Sequence, residues 1–147
     1  MSYAGDLTPQ QAWDLLETNP GAILVDVRTE GEWRQIGVPD TSALGSTDAG
    51  GNREAFIEWA TPFGPNENFI AELAAAGLTP GDERPIVFLC RSGNRSIGAA
   101  TDATAAGFGP AYNILEGFEG DTDAAGRRTV NGWRLRGLPA TTYTAGE

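Results

Sequence analysis

One cysteine carries most of the reactive chemistry open to this 147-residue chain. Cys90 begins the segment Cys90-Arg91-Ser92-Gly93-Asn94-Arg95-Ser96. The apolar run Pro85-Ile86-Val87-Phe88-Leu89 precedes it, and an Ala-rich helical pattern from Ser96 to Ala106 follows. In open α/β sheets, the carboxyl end of a buried strand is where ligands bind. Gly93, at the middle of the loop, lets backbone N–H groups curl inward into an anion-binding cup. The dipole of the following helix adds positive potential at the same point, and Arg91 and Arg95 add two permanent charges. Each feature favours thiolate over thiol, so a nucleophile at Cys90 needs no general base. The bland alternatives are a small buried residue for Cys90 and solvated charge for the arginines. Strand, loop, Cys, Gly, Arg and helix occur together in the order the chemistry needs, which favours the reactive reading.

Composition narrows the chemistry from the other side. All ten basic residues are Arg, against twenty Asp plus Glu, and the chain has neither Lys nor His. Without His, Ser-His-Asp and Cys-His catalysis and His-ligated metal are excluded within the chain. One Cys excludes an intramolecular disulfide and a multi-Cys metal site. Neither a metal nor a cofactor is therefore expected. A net charge of −10 argues against nucleic acid and anionic membranes as partners. No apolar run approaches the roughly 18–20 residues of a membrane span. The start, Met1-Ser2-Tyr3-Ala4-Gly5-Asp6, lacks the basic and apolar regions of a secretory signal, so a cytoplasmic location is expected. The acidic, Lys-free balance reads as genome bias or salt adaptation rather than function.

The positioning elements follow from periodicity and caps. Thr8-Pro9-Gln10-Gln11 has a cap, a first-turn Pro and a capping-box Gln, leading into Ala12, Leu15 and Leu16 and stopping at Asn19-Pro20-Gly21. Ala22-Ile23-Leu24-Val25-Asp26-Val27 suits a parallel strand covered on both faces. Thr29 and Glu32 form a second capping-box pattern before Trp33 and Ile36. Residues 37 to 65 are broken by Gly and Pro, Gly50 and Gly51 among them, with one short helical candidate from Glu54 to Trp59. Asn66 or Asn68 can cap a helix carrying Phe69, Ile70, Leu73 and Ala74, with Gly77 at its end. Ala111-Tyr112-Asn113-Ile114-Leu115 is a third strand. Strands alternating with helices predict one α/β domain over residues 1–147, an open parallel sheet with helices on both faces. A chain of this length buries roughly 68–70% of its unfolded surface and needs no metal or disulfide to hold its core.

Val25-Asp26-Val27-Arg28 with Glu32-Trp33, the Cys90–Ser96 loop, Glu116-Gly117, Gly132-Trp133 and Gly137-Leu138-Pro139 together resemble the rhodanese (sulfurtransferase) family. The resemblance covers nearly the whole chain, and the Cys loop is its most specific part. It implies a rhodanese-like domain with a five-stranded, mostly parallel sheet flanked by helices on both faces. It also implies that Cys90 attacks the outer sulfur of an anionic donor such as thiosulfate and becomes a persulfide. The sulfur would then pass to cyanide or a thiol. The backbone of residues 91 to 95 would cradle the persulfide, with Arg91, Ser92, Gly93, Asn94, Arg95 and Ser96 as the substrate-binding set. Arg91 and Arg95 would hold the donor, and Ser96 would hydrogen-bond at the helix start.

Two other readings stay open. One is a persulfide carrier or protein-docking module of the same fold, with a protein partner. The other is a Cys-loop phosphatase. Phosphatases of that kind carry five residues between Cys and Arg, whereas four separate Cys90 from Arg95. The tighter ring suits a single sulfur better than a tetrahedral phosphate.

The chain departs from the family pattern in two places. Where the family usually reads Gly-His-Ile-Pro-Gly-Ala, this chain reads Ile36-Gly37-Val38-Pro39-Asp40-Thr41, so the usual His is Gly37. Residues 118 to 131 also lengthen the gap between Gly117 and Gly132-Trp133. Both changes bear on donor and acceptor choice. Asp26 and Arg28, at the end of the first buried strand, are supporting residues. An ion pair of Arg28 with Asp26 or Glu32 that fixes the strand end is favoured over an addition to the positive rim. Arg127, Arg128, Arg134 and Arg136 face only one acid, Glu147, within residues 124–147. A segment docked on the acidic body is favoured over one that recruits an anionic donor or an acidic partner. Trp13, Trp33, Trp59, Trp133 and Phe69 are expected in the core.

Overall fold

Capping boxes start two of the helices, and an all-parallel sheet sets where they pack. The structure is a computed structural model that describes residues 3–45 and 53–143. Met1, Ser2, Gly50, Gly51 and Glu147, used in the sequence reading, lie outside the described residues. The chain begins with β1 (Gly5–Leu7), α1 (Pro9–Thr18), β2 (Ile23–Asp26), α2 (Glu30–Ile36) and β3 (Val38–Pro39). A short 3-10 turn at Ser42–Leu44 precedes β4 (Glu54–Phe56), β5 (Ala60–Thr61), β6 (Gly64–Pro65) and α3 (Phe69–Ala75). Then come β7 (Ile86–Leu89), α4 (Arg95–Ala105), β8 (Ala111–Ile114) and β9 (Ala140–Thr141).

Thr8 starts α1 by accepting the Gln11 N–H at 3.1 Å, while the Gln11 side chain accepts the Thr8 N–H at 2.9 Å. Thr29 and Glu32 do the same for α2. Each reciprocal pair satisfies two donors that the first turn leaves open. At α3 the side chains act differently. Asn68 occupies the cap position without a side-chain bond, and the Asn66 side-chain Oδ1 accepts the Asn68 N–H instead.

The main sheet runs in the order β1-β8-β7-β2-β4, and all four pairings are parallel. The fold is the expected α/β architecture, one five-stranded parallel sheet flanked by helices. Its central strands β2 and β7 are buried at every residue. The helical candidate from Glu54 to Trp59 is corrected: Glu54–Phe56 is the edge strand β4, with Glu54, Ala55 and Phe56 opposite Leu24, Val25 and Asp26. A six-residue segment cannot sustain an isolated helix, and the open edge of β2 offers its backbone a hydrogen-bonded partner.

Helices cover both faces. On one, Ala12, Trp13 and Leu16 of α1 pack with Leu24, Val87, Leu89, Ile114, Phe118 and Trp133. On the other, Phe69 and Leu73 of α3 and Ala99, Ala100 and Ala103 of α4 pack with Ile23, Val25, Ile86 and Phe88. Trp13, Trp33, Trp133 and Phe69 are buried as expected. Trp59 is the correction: it is half-buried at the rim of a cleft of about 450 Å³ that Phe69 and Ile70 also line. Its indole N–H reaches the exposed surface to donate to Asp102 at 2.8 Å, so the ring cannot go fully inside.

The C-terminal segment lies against the body. β9 pairs antiparallel with β3, and Tyr143 packs on Trp33 and Phe56. Arg136 forms an ion pair with Glu116 at 2.8 Å, and Arg134 lies 3.7 Å from Glu119. Among the described residues, no helix is long and apolar enough to cross a membrane.

Candidate active site

β7 delivers Cys90 to the carboxyl edge of the sheet, where its side chain is buried with 1% exposure. The Gly93 N–H turns back and donates to the Cys90 Sγ at 3.1 Å. That turn requires glycine. Gly93 has φ of +99°, and a Cβ there would lie 3.2 Å from the Glu116 nitrogen. The segment after β8 forms the seat of the loop: Phe118 N–H donates to the Cys90 carbonyl at 2.8 Å and Glu119 N–H to the Arg91 carbonyl at 3.0 Å. At Gly117, a Cβ would come within 2.5 Å of the Cys90 carbonyl oxygen, which gives the Glu116-Gly117 pair a physical reason.

The helix after the loop begins at Arg95, one residue before the expected start. Asn94 sits at its cap position without a side-chain cap bond, and its Nδ2 lies 3.5 Å from the Ser92 Oγ. The helix N-terminus therefore points positive potential toward the loop. Ser96 is buried, and its Oγ lies 3.2 Å from the Cys90 Sγ while it also donates to the Asn113 Oδ1.

The two loop arginines are not bare charges. Arg95 gives both terminal nitrogens to Glu32, at 2.8 and 2.9 Å. Burial opposes ionisation of Glu32, yet the bonds from Arg95 and Thr29 outweigh it and hold the carboxyl below its usual range. The Glu32 bond in turn raises the proton affinity of Arg95. Arg91 is half-exposed, with its Nε 3.4 Å from Glu119. The positive potential at the sulfur thus comes from the Gly93 N–H and the helix end, with the arginine charges largely met by carboxylates.

Asp26 and Arg28 are fully buried beneath this region. The guanidinium reaches Asp26 at 2.7 Å, donates to the Gly37 carbonyl at 2.8 Å, and lies over the Phe118 ring at 4.4 Å. This pair ties the end of β2 to the end of α2 and does not form a surface rim. Gly37 has φ of +104°, and a Cβ would stand 2.8 Å from the Thr141 carbonyl oxygen. The strand β9 therefore occupies the space that a side chain would take at the position where the family usually has His. The lengthened 118–131 segment is pinned by Asn131, which bonds Asp121 twice, and by Asp123, which accepts from Ala125, Arg127 and Thr129.

Four contacting residues were missed by sequence reasoning: Glu32 and Glu119 as partners of the arginines, and Asn113 and Asp6 behind Ser96. Asn113 carried a signal, a polar amide inside an otherwise apolar strand run. Glu32 carried one as well, through its capping-box position beside Trp33, but nothing local tied it to Arg95, and Glu119 and Asp6 carried none.

Compared with known proteins, residues 8–124 match the Rhodanese-like domain family. An uncharacterized protein of Rickettsia rickettsii is 35% identical over 129 residues, covering 88% of this chain and 90% of that protein. The crystal structure of Rv0390 from M. tuberculosis is 56% identical, with a TM-score of 0.84 over 97% of this chain and all of that one. A polysulfide-sulfur transferase homodimer from Wolinella succinogenes is 25% identical, with a TM-score of 0.60 over 96% of this chain and 80% of that one.

Proposed function

The chain belongs to the rhodanese-like domain family, and on that premise we propose that it transfers sulfane sulfur through a persulfide on Cys90. The Cys90 thiolate attacks the outer sulfur of an anionic donor such as thiosulfate. The donor's S–S bond breaks, and sulfite leaves with its electron pair. Cyanide or a thiolate then attacks the terminal sulfur of the persulfide. The product is thiocyanate or a new persulfide, and the Cys90 thiolate is regenerated. No electron or cofactor enters from outside.

The observation that carries this reading is the Cys90 Sγ held by the Gly93 N–H at 3.1 Å between the end of β7 and the start of α4. An N–H directed at the Cys90 Sγ stabilises the thiolate form that attacks the donor and is regenerated after transfer. The similarity to a polysulfide-sulfur transferase supports the reaction class. Arg91, Ser92, Gly93, Asn94, Arg95 and Ser96 form the proposed substrate-binding set, with Asp26 and Arg28 supporting it from beneath. A second reading, a persulfide carrier that exchanges sulfur with a protein partner, uses the same Cys90 persulfide and differs in lacking turnover with small acceptors. Glu32 on both terminal nitrogens of Arg95 counts against a phosphate there.

The test is incubation with thiosulfate, intact mass for the addition of one sulfur atom, then cyanide and measurement of thiocyanate. Cys90→Ser loses both signals. An adduct without turnover points to the carrier, and no adduct in the wild-type protein overturns the proposal.

A further inference from the structure

A chain of hydrogen bonds runs from the N-terminal edge strand to the reactive sulfur. Asp6 in β1 stands opposite Asn113 in β8. The Asn113 Nδ2 donates to the Asp6 Oδ1 at 3.0 Å, and the Tyr3 hydroxyl donates to that same oxygen at 2.8 Å. Asn113 has no exposed surface, and its Oδ1 accepts the Ser96 hydroxyl. The Ser96 Oγ in turn lies 3.2 Å from the Cys90 Sγ.

Asp6 determines the direction of every bond in this chain. An ionised carboxylate only accepts, so the Asn113 amide nitrogen must face Asp6 and its carbonyl oxygen must face Ser96. Ser96 has one proton, and that proton is committed to Asn113. What it turns toward Cys90 is a lone pair. We propose that Asp6 and Asn113 are positioning residues that hold Ser96 as an acceptor for the Cys90 thiol proton. Ser96 thereby offers the sulfur an acceptor, opposite the donor that the Gly93 N–H offers it.

The two neighbours of the sulfur act in opposite senses. Gly93 favours the anion, while Ser96 favours the thiol until its hydroxyl is released to turn. The other charged groups around the sulfur include Arg91 of the loop with its partner Glu119, Arg95 of α4 with Glu32 of α2, and Asp26 of β2 with Arg28. None of them bonds Asp6 or Asn113. The inference rests on Cys90 being the reactive sulfur of the proposed transfer, but its test reads only the ionisation of the thiol.

Asp6→Asn supplies a side-chain donor to Asn113. The Asn113 amide can then turn over, its nitrogen can donate to Ser96, and the Ser96 proton can face the sulfur. Thiolate ultraviolet absorbance, corrected with Cys90→Ser, reports Cys90 alone because it is the chain's one cysteine. The expected result is a titration midpoint shifted to lower pH by about one unit, since a hydrogen bond given to the charged form favours it. Asp6→Leu removes the same charge without offering a donor, and it shifts the midpoint by less than half as much. In a Ser96→Ala background, Asp6→Asn leaves the midpoint unmoved. Equal shifts for Asn and Leu, a shift that persists without Ser96, or no shift at all would overturn the relay. If Ser96→Ala does not fold, the Asn and Leu comparison alone decides. The thiosulfate mass adduct, measured in parallel on the wild-type protein, reports sulfur transfer separately from the relay.

Discussion

Glu32 and Arg95, 63 residues apart in sequence, meet in a two-pronged ion pair with N–O distances of 2.8 and 2.9 Å. Glu32 also completes the capping box of α2, accepting the Thr29 N–H and hydroxyl. One carboxylate therefore caps one helix and closes the first residue of another over the Cys90 loop. Arg95 reaches a donor only by sharing or leaving this partner.

Glu32→Gln keeps an acceptor for Thr29 and releases the charge on Arg95. Its KM for thiosulfate is expected to fall several-fold. Its stability at pH 7 is expected to drop by about 1–2 kcal/mol, as for a partly buried, charge-assisted pair. Because the folded Glu32 carboxyl titrates below its usual range, the pair's contribution is complete above the unfolded value of about 4.3 and is lost as pH falls through the lower folded value. Urea unfolding of both proteins at neutral and acidic pH checks this. A stability gap that widens on acidification would contradict it.

Arg28→Met leaves the Asp26 carboxylate charged and buried without its cation. A loss of about 3–5 kcal/mol is expected, the usual cost of breaking a buried pair from one side. Asp26→Asn together with Arg28→Met should recover part of it, because the uncompensated charge is gone. Chemical denaturation of the single and double variants measures both. If the single variant loses less than a surface substitution does, the pair is not the structural tie assigned to it.

Restoring the usual family residue with Gly37→His is expected to harm the protein rather than improve transfer. The residue would have to hold φ of +104° with its Cβ against the Thr141 carbonyl oxygen. Backbone strain and overpacking together cost about 2–4 kcal/mol, and the β3–β9 pairing is the first contact to yield. Thermal unfolding with a thiocyanate assay tests this. An unchanged midpoint with faster turnover would be the opposite outcome.

The sequence by itself determined the parts whose physics is local. The runs at residues 22–27, 85–89 and 111–115 read as strands from their composition and length, and they contain the sheet strands Ile23–Asp26, Ile86–Leu89 and Ala111–Ile114. Thr8 with Gln11 and Thr29 with Glu32 read as helix starts because a capping box spans only four residues. The order of Cys90, Gly93 and the Ala-rich helix placed the reactive loop for the same reason. The edge strands were another matter. Gly5–Leu7 and Glu54–Phe56 are three residues each, and their backbones become strands because β8 and β2 offer them open edges.

What the loop charges meet was decided only in three dimensions. Nothing local to Arg95 announces Glu32, and nothing local to Ser96 announces an Asp6 that reaches it through Asn113. Those contacts exist because the strand order sets β1 beside β8 and β2 beside β7. Residues remote in sequence then share one sheet edge, and a carboxylate or an amide there fixes the charge and the proton positions around the sulfur.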